Sequence, residues 1–428
     1  MTKKNLLVLA FTALLLPTLA SANGLSLNGL GTRAQGMGGA FVSIADDFSA
    51  VFWNPAGAAG FRQTTFGFYA SDLMPRMTYS VESEGPDVNA KTKISHYLSF
   101  LAGYYKPVSD RLVLGIGIGT PSAQGVMWNG SDLTALSNGT AYDWSSRLYV
   151  FSFSPMAAVK ISDAISFGAA LNIHYGNIGF KMPYGMSYFP GSVQDPPQNV
   201  SVDLGQFEET ANGWGVGATF GLLVKPMKRL ALGLTVRTPL TIVFDGTASL
   251  SNMPFYGLPG SSALECRITW PLGIAGGVSF RPIDRLLLSA DVLWTRWSKL
   301  YAVPLDFEDP VWADLCQLEG KPYPILDWRN TAQIRFGMEY RFNPSTAVRA
   351  GYSYDPAPGP DWALDVLKPT FTGDAFTVGL GKTFGGLQLD FGLEYFAGHK
   401  RARDMPIFVN YVMTMHAVVP SVSASYKF

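Results

Sequence analysis

From about residue 62 to the end of the chain, apolar side chains fall on every second position, with small or polar ones between them. The stretch from Leu387 to Tyr395 is the clearest. There Leu387, Leu389, Phe391, Leu393 and Tyr395 share one face, while Gln388, Asp390, Gly392 and Glu394 share the other. Ala332, Ile334, Phe336, Met338 and Tyr340 stand in the same way against Gln333, Arg335, Gly337 and Glu339. Trp214, Val216, Ala218, Phe220 and Leu222 stand against four glycines and Thr219. A period of two predicts strands with unlike faces. A soluble sandwich alternates as well, so the pattern alone leaves two architectures open.

The connections separate them. Short links at Lys106 to Arg111, Lys160 to Ala164, Lys225 to Arg229, Arg281 to Arg285, Asn343 to Thr346 and Gly385 to Gly386 take turns with long irregular segments. The long segments are Pro75 to Lys93, Pro121 to Asp143, Lys181 to Ala211, Asp245 to Ala263, Leu300 to Leu326, Asp355 to Gly373 and Gly398 to Ala417. Tight turns at one end and long loops at the other are what a transmembrane barrel requires. Strands then begin near Thr64, His96, Arg111, Ser146, Ile165, Asn212, Leu230, Leu264, Leu286, Asp327, Ala347, Asp374, Leu387 and Val418. That makes about fourteen, an even number that suits closure. Closure follows because an unpaired backbone group in hydrocarbon costs several kcal/mol. The expected fold is all-β: a transmembrane antiparallel barrel over 62–428, crossing a Gram-negative outer membrane, with its polar faces toward a wet lumen.

The chain opens differently. Lys3 and Lys4 precede an apolar run from Leu6 to Leu16, and Ala20-Ser21-Ala22 follows as a small-residue cleavage site, so 1–22 reads as a signal peptide and Asn23 as the mature start. Beyond it no apolar run reaches the roughly 20 residues a spanning helix needs. Only 15% of residues are charged, below the roughly 25% of an ordinary soluble domain, as expected if much of the surface meets no water. A net charge of +0 offers no field for nucleic acid. Cys266 and Cys316 allow one disulfide bracing two loops, or two free thiols.

A barrel of about fourteen strands leaves an open lumen, since eight are already filled by their own side chains. The segment 23–61 does not alternate and is rich in Gly, Ala and Asp, so it reads as a plug inside that lumen. Asp46 and Asp47 precede a short helical stretch whose N–H groups they suit, Asn54 suits a turn, and Pro55 a first helical position.

The run from Gly31 to Gly57, GTRAQGMGGAFVSIADDFSAVFWNPAG, resembles the FadL-type outer-membrane transporters of long-chain fatty acids and, in some members, aromatic hydrocarbons. Its Arg-Ala, Gly-Gly-Ala, Ala-Asp-Asp and Asn-Pro-Ala elements occur in the family's order, and Asp327 to Pro360 is similar too. The resemblance implies a helical hatch in the lumen, with Arg33, Gly38, Gly39, Asp46, Asp47, Asn54, Pro55 and Ala56 as hatch or gating residues. It also implies a mature N-terminus, Asn23, Gly24, Leu25, Ser26 and Leu27, close to bound ligand. In the family the ligand leaves through the wall beside a kinked third strand. Here that strand reads Leu112 to Pro121, with Gly115, Gly117 and Gly119 facing the lumen and Pro121 at its end. The glycines mark a wall opening or leave room for the hatch.

By alternation Arg237, Asp291, Arg335, Glu339, Arg349, Asp390 and Glu394 also face inward. A lone arginine among them suits a fatty carboxylate, while pairing with an inward acid or with the hatch competes. The four histidines, His96, His174, His399 and His416, are scattered, so no metal site and no cofactor are expected. Gly29 to Ala34 follows no strand and carries no nucleotide-binding pattern. No hydrolase constellation stands out, and no enzyme is expected. Met182, Met186, Tyr188, Phe189, Met253, Phe255 and Tyr256 suit either ligand capture at the outer loops or packing of those loops.

The sequence therefore points to passive uptake of hydrophobic small molecules, long-chain fatty acids first and alkanes or aromatic hydrocarbons as the alternative. A general porin and a surface interaction protein are the competing readings, and a porin has no use for a plug. The partners expected are the hydrophobic ligand, outer-membrane lipid and the barrel-assembly machinery reading Phe428, with no nucleic acid and a monomeric state.

Overall fold

The computed structural model describes residues 24–81, 88–188, 200–318, 325–403 and 411–428. The signal-peptide stretch, Asn23 and Phe189 lie outside the described residues, as do the side chains of Met186, Tyr188 and Cys316.

Fourteen antiparallel strands form a closed barrel. They are β1 Thr65–Val81, β2 Tyr97–Pro107, β3 Leu112–Met127, β4 Ser145–Lys160, β5 Ile165–Tyr188, β6 Val200–Met227 and β7, in two pieces, Leu230–Arg237 and Leu240–Leu250. They continue with β8, also in two pieces, Ser261–Trp270 and Gly273–Ile283, then β9 Leu286–Thr295, β10 Thr331–Asn343, β11 Thr346–Asp355, β12 Gly373–Phe384, β13 Leu387–Gly398 and β14 Tyr411–Lys427. Each pairs with the next, and β14 returns to β1 from Thr65 opposite Lys427 to Val81 opposite Tyr411. No helix among the described residues is long and apolar enough to cross a membrane; the strands make the crossing.

The faces fall as the alternation predicts. On β13, Phe391, Leu393 and Tyr395 are exposed while Asp390 and Glu394 are buried. On β10, Phe336 and Met338 point out, and Arg335 and Glu339 point in. Apolar residues exposed around the whole wall would be untenable in water, so the liquid outside is lipid.

Two boundaries differ from expectation. The β5–β6 hairpin runs far beyond Lys181, and Lys181 to Ala211, expected as loop, is largely ladder. Past the membrane both faces of a hairpin meet water or other loops, so the two-face pattern fades while the backbone bonds persist. Pro75 and Pro121, expected at strand ends, lie inside β1 and β3. Pro75 costs no ladder bond: Met77, two residues on, exchanges bonds with Thr92 on the β2 side, and β2 pairs with β1 only as far as Tyr97 opposite Leu73. Pro121 sits in a bulge, where the β3–β4 register slips between Gly119 and Ser122.

Candidate functional site

The N-terminal segment folds back into the lumen and is almost wholly buried from Leu30 to Ala59. It holds two short helices, α1 Thr32–Gly36 and α2 Ala50–Trp53, followed by a 3-10 helix, Pro55–Gly60. The Asn54 side chain accepts from Ala56 N at 3.0 Å, capping the 3-10 helix, and donates to the carbonyls of Val42 at 2.8 Å and Leu222 at 3.1 Å. Asp47 accepts from Ser49 N at 2.9 Å just before α2. Gly38 takes a left-handed turn, φ 63°, and a Cβ there would lie 2.7 Å from the Phe336 carbonyl and the Tyr352 nitrogen. Only glycine fits that close approach of plug and wall. Gly39 also turns left-handed, and its carbonyl accepts from Arg335 at 3.1 Å.

A buried ion chain fixes the plug to the wall. Arg33 of α1 pairs with Asp46, and its Nε donates to Glu339 Oε2 at 2.7 Å. Arg349 Nε donates to the same oxygen at 2.8 Å, and its Nη1 donates to Asp390 Oδ1 at 2.6 Å. Burial opposes the charge on Arg33, but Asp46 and Glu339 more than offset it and raise its pKa well above the ordinary arginine value. Asp291 Oδ2 accepts from Val42 N at 2.8 Å, and Thr377 Oγ1 accepts from Gly38 N at 3.0 Å. Inward acids and bases are therefore mostly consumed in holding the plug, as physical economy in a low-dielectric lumen demands.

Arg237 is engaged least. Its Nη2 donates to the Phe52 carbonyl at 2.6 Å and the guanidinium lies 4.8 Å over the Phe52 ring, with no carboxylate in ion-pair range among the described residues. It lines a mostly apolar cavity above the plug. Leu27, Trp53, Leu240, Trp270 and Trp297 form much of its wall, and Ser152, Ser154, Asn172 and His174 make a polar flank. Arg335 also reaches this cavity, but Gln333, Asn28 and the Gly39 carbonyl engage its guanidinium.

The residues at the chain start close the cavity toward β3. Between the Leu101–Gly119 pair and the Thr92–Trp128 bridge, β3 has no paired β2 residue. The N-terminal segment occupies that gap. Leu27 N donates to the Pro121 carbonyl at 3.0 Å, Ser122 Oγ to the Leu25 carbonyl at 2.7 Å and Gln124 Nε2 to the Gly24 carbonyl at 3.2 Å. Ser26, Leu27 and Asn28 touch this cavity on one side and a second, more polar one on the other, so they form the partition between the two. Of the β3 glycines, Gly117 leaves room for the plug, since a Cβ there would lie 2.5 Å from Val51. The bend itself falls at Gly119 to Ser122.

Other expected positions lie elsewhere. Cys266 is a free, buried thiol in β8. Met253 is buried in loop packing, whereas Phe255 is 85% exposed. The residues not singled out from sequence are Ser122, Gln124 and Asn28, together with the breaks at Thr238-Pro239 and Pro271-Leu272. The Pro-Leu dipeptides inside alternating strands were a readable signal of those breaks.

Residues 13–428 match the family model described as outer membrane protein transport protein (OMPP1/FadL/TodX). The long-chain fatty acid transport protein of Escherichia coli O6:H1 is 25% identical, over 92% of this chain and 91% of that one. Among solved structures, a Pseudomonas aeruginosa FadL homologue superposes with a TM-score of 0.79 at 17% identity, covering 95% of this chain and 100% of that one. The Ralstonia pickettii toluene transporter TbuX superposes with a TM-score of 0.69 at 18% identity, covering 94% and 99%.

Proposed function

Since the chain belongs to the OMPP1/FadL/TodX family of outer-membrane transport proteins, we propose that the hydrophobic compounds it carries are long-chain fatty acids, taken up without energy input. One observation carries the choice. The cavity is apolar enough for an alkyl chain yet keeps the Arg237 guanidinium free of any carboxylate partner among the described residues. A buried unpaired cation is costly; a ligand carboxylate meets it with a bidentate pair, whereas toluene or an alkane leaves it bare. The fatty-acid transport relative in Escherichia coli agrees with this reading.

In this reading the outer loops collect the ligand, the tail lies against Trp270, Leu240 and Leu27, and the head group turns to Arg237. Release follows when Gly24 to Leu27 leave the unpaired edge of β3, which opens a sideways path between β2 and β3 into the membrane. The plug, fixed to the wall by Arg33 and Asn54, keeps the lumen closed to ions meanwhile. Binding of hexadecanoate, hexadecane and toluene to the purified protein tests the proposal. Tighter binding of hexadecanoate is expected. Equal or tighter binding of hexadecane or toluene overturns the acid reading in favour of hydrocarbon uptake, and steady ion conductance in planar bilayers overturns the closed plug.

A further inference from the structure

The wall carries a second interruption, four strands along from the β3 bulge. β7 breaks at Thr238-Pro239 and β8 at Pro271-Leu272. The flanking pairs, Arg237 with Gly273 and Leu240 with Trp270, set Pro239 opposite Pro271. Their orientation follows from their neighbours, because successive residues of a strand turn their backbone groups to opposite sides. Thr238 N donates to Ala218 O on β6 at 2.9 Å, and Leu272 O accepts from Arg296 N, after β9, at 2.9 Å. Pro239 therefore turns toward β8 and Pro271 toward β7. Neither has an N–H, so the ladder between these two strands lacks a donor from both sides at one level.

The neighbouring ladder is thin as well. β6 and β7 pair as far as Trp214 opposite Val243 and again from Thr219 opposite Arg237. Between these points, Thr238 clasps Ala218 through its own N–H and through Ala218 N donating to Thr238 Oγ1 at 2.9 Å. Behind this patch is the Arg237 cavity, whose wall includes Gly217, Thr238, Trp270 and Pro271. In front of it Pro239 is exposed, as are Trp214 and Val216 on β6, at 66% and 60%.

Proline is normally excluded from central strands, and an interrupted ladder at membrane depth is tolerated only where it borders protein or a cavity. Two prolines on one seam meet that condition in a particular way: parting β7 from β8 there breaks no proline N–H bond and leaves no proline donor orphaned in hydrocarbon. We propose that the Pro239–Pro271 seam is a second ligand passage, through which the alkyl tail of an amphipathic molecule held by Arg237 reaches the membrane interior. This rests on the fatty-acid reading above.

The test uses Thr241 and Thr269, register partners whose hydroxyls lie 2.8 Å apart just beyond the seam. Thr241→Cys and Thr269→Cys are combined in a full-length chain also carrying Cys266→Ala and Cys316→Ala. Uptake of labelled hexadecanoate by cells is followed before and after oxidation, with the single-cysteine chains as controls. In parallel, hexadecanoate with a diazirine near its methyl end is bound to the purified protein in lipid nanodiscs, photolysed, and mapped by mass spectrometry. The expected result is labelling at Val216, Pro239 or Pro271, and a fall in uptake to the share carried by the β3 path on oxidation of the double variant alone, regained with reductant. Binding with labels confined to other lumen residues or β3, and uptake indifferent to oxidation, overturns the passage while leaving the fatty-acid reading intact. No binding of the probe overturns both.

Discussion

Replacing Arg237 by leucine separates recognition of a carboxylate from burial of a tail. Of the five N–H donors of a guanidinium, the protein engages one at Arg237 among the described residues, through the Phe52 carbonyl. A ligand carboxylate has the rest to pair with. Charge-assisted hydrogen bonds contribute about 1.5 to 3 kcal/mol, which is roughly a tenfold to hundredfold loss of hexadecanoate affinity in Arg237→Leu. Hexadecanol, with the same tail and no charge, should lose far less. The Phe52 carbonyl left without its donor destabilises the plug by about 1 to 3 kcal/mol, but that burden falls on both ligands and cancels in the ratio of their dissociation constants. Trp53, Trp270 and Trp297 line the cavity, so quenching of tryptophan fluorescence on titration reads both affinities. An unchanged ratio, whether both ligands weaken together or neither does, refutes a carboxylate at Arg237.

Glu339→Gln should loosen the plug, because Arg33 and Arg349 lose their shared carboxylate and keep only Asp46 and Asp390, at the roughly 1.5 to 3 kcal/mol of a hydrogen bond to a charged group; new ion conductance in planar bilayers and faster proteolysis of the N-terminal segment check this. Gly351→Ala places a Cβ 2.0 Å from Gly38 N, so the plug should be displaced and the same two assays should respond even with every ion pair retained. Deleting Gly24 to Leu27 removes three hydrogen bonds to β3, and fatty-acid binding should weaken while the barrel keeps its heat-modifiable migration on gels. Ser122→Ala removes one of those bonds, worth about 1 kcal/mol, and faster ligand release measured by stopped-flow should follow.

The barrel was legible because each strand is read by two different solvents. Leu393 beside Glu394 carries that contrast, and fourteen such stretches separated by short and long links leave one architecture. The outer part of the β5–β6 hairpin was not legible, since Tyr184 and Phe207 pack on other protein where no lipid face sets the contrast. Inward charges such as Arg335, Glu339 and Asp390 could be listed from alternation alone, but their division into partners of the plug and partners of a ligand could not. That division depends on where Arg33 and Gly39 lie in space, some 300 residues away in sequence from Glu339 and Arg335. Missing alternation set the N-terminal segment apart from the wall; its bonds to Pro121 and Ser122 were not legible, because on the N-terminal side they run through the backbone of Leu27 and Leu25, which carries no residue signature.

Among the described residues the first helix and the turn after it are held by the strands made last: Arg33 by β10, Gly38 by β12 and Gln35, through the Val419 carbonyl, by β14. A growing chain can dock Leu27 on β3 and Asn54 on β6 early, but the turn around Arg33 and Gly38 has no wall anchor until nearly all of the chain exists, and loop closures of this span are slow. The shortest route of assembly keeps residues 24–61 within an unclosed sheet while β14 finds β1, since the wall is complete once Thr65 meets Lys427. A chain cut short before β14 would lack both its seam and an anchor for its plug, leaving two bare edges rather than an unguarded hole in the membrane. Dependence of the beginning on the end thus works as proofreading of length.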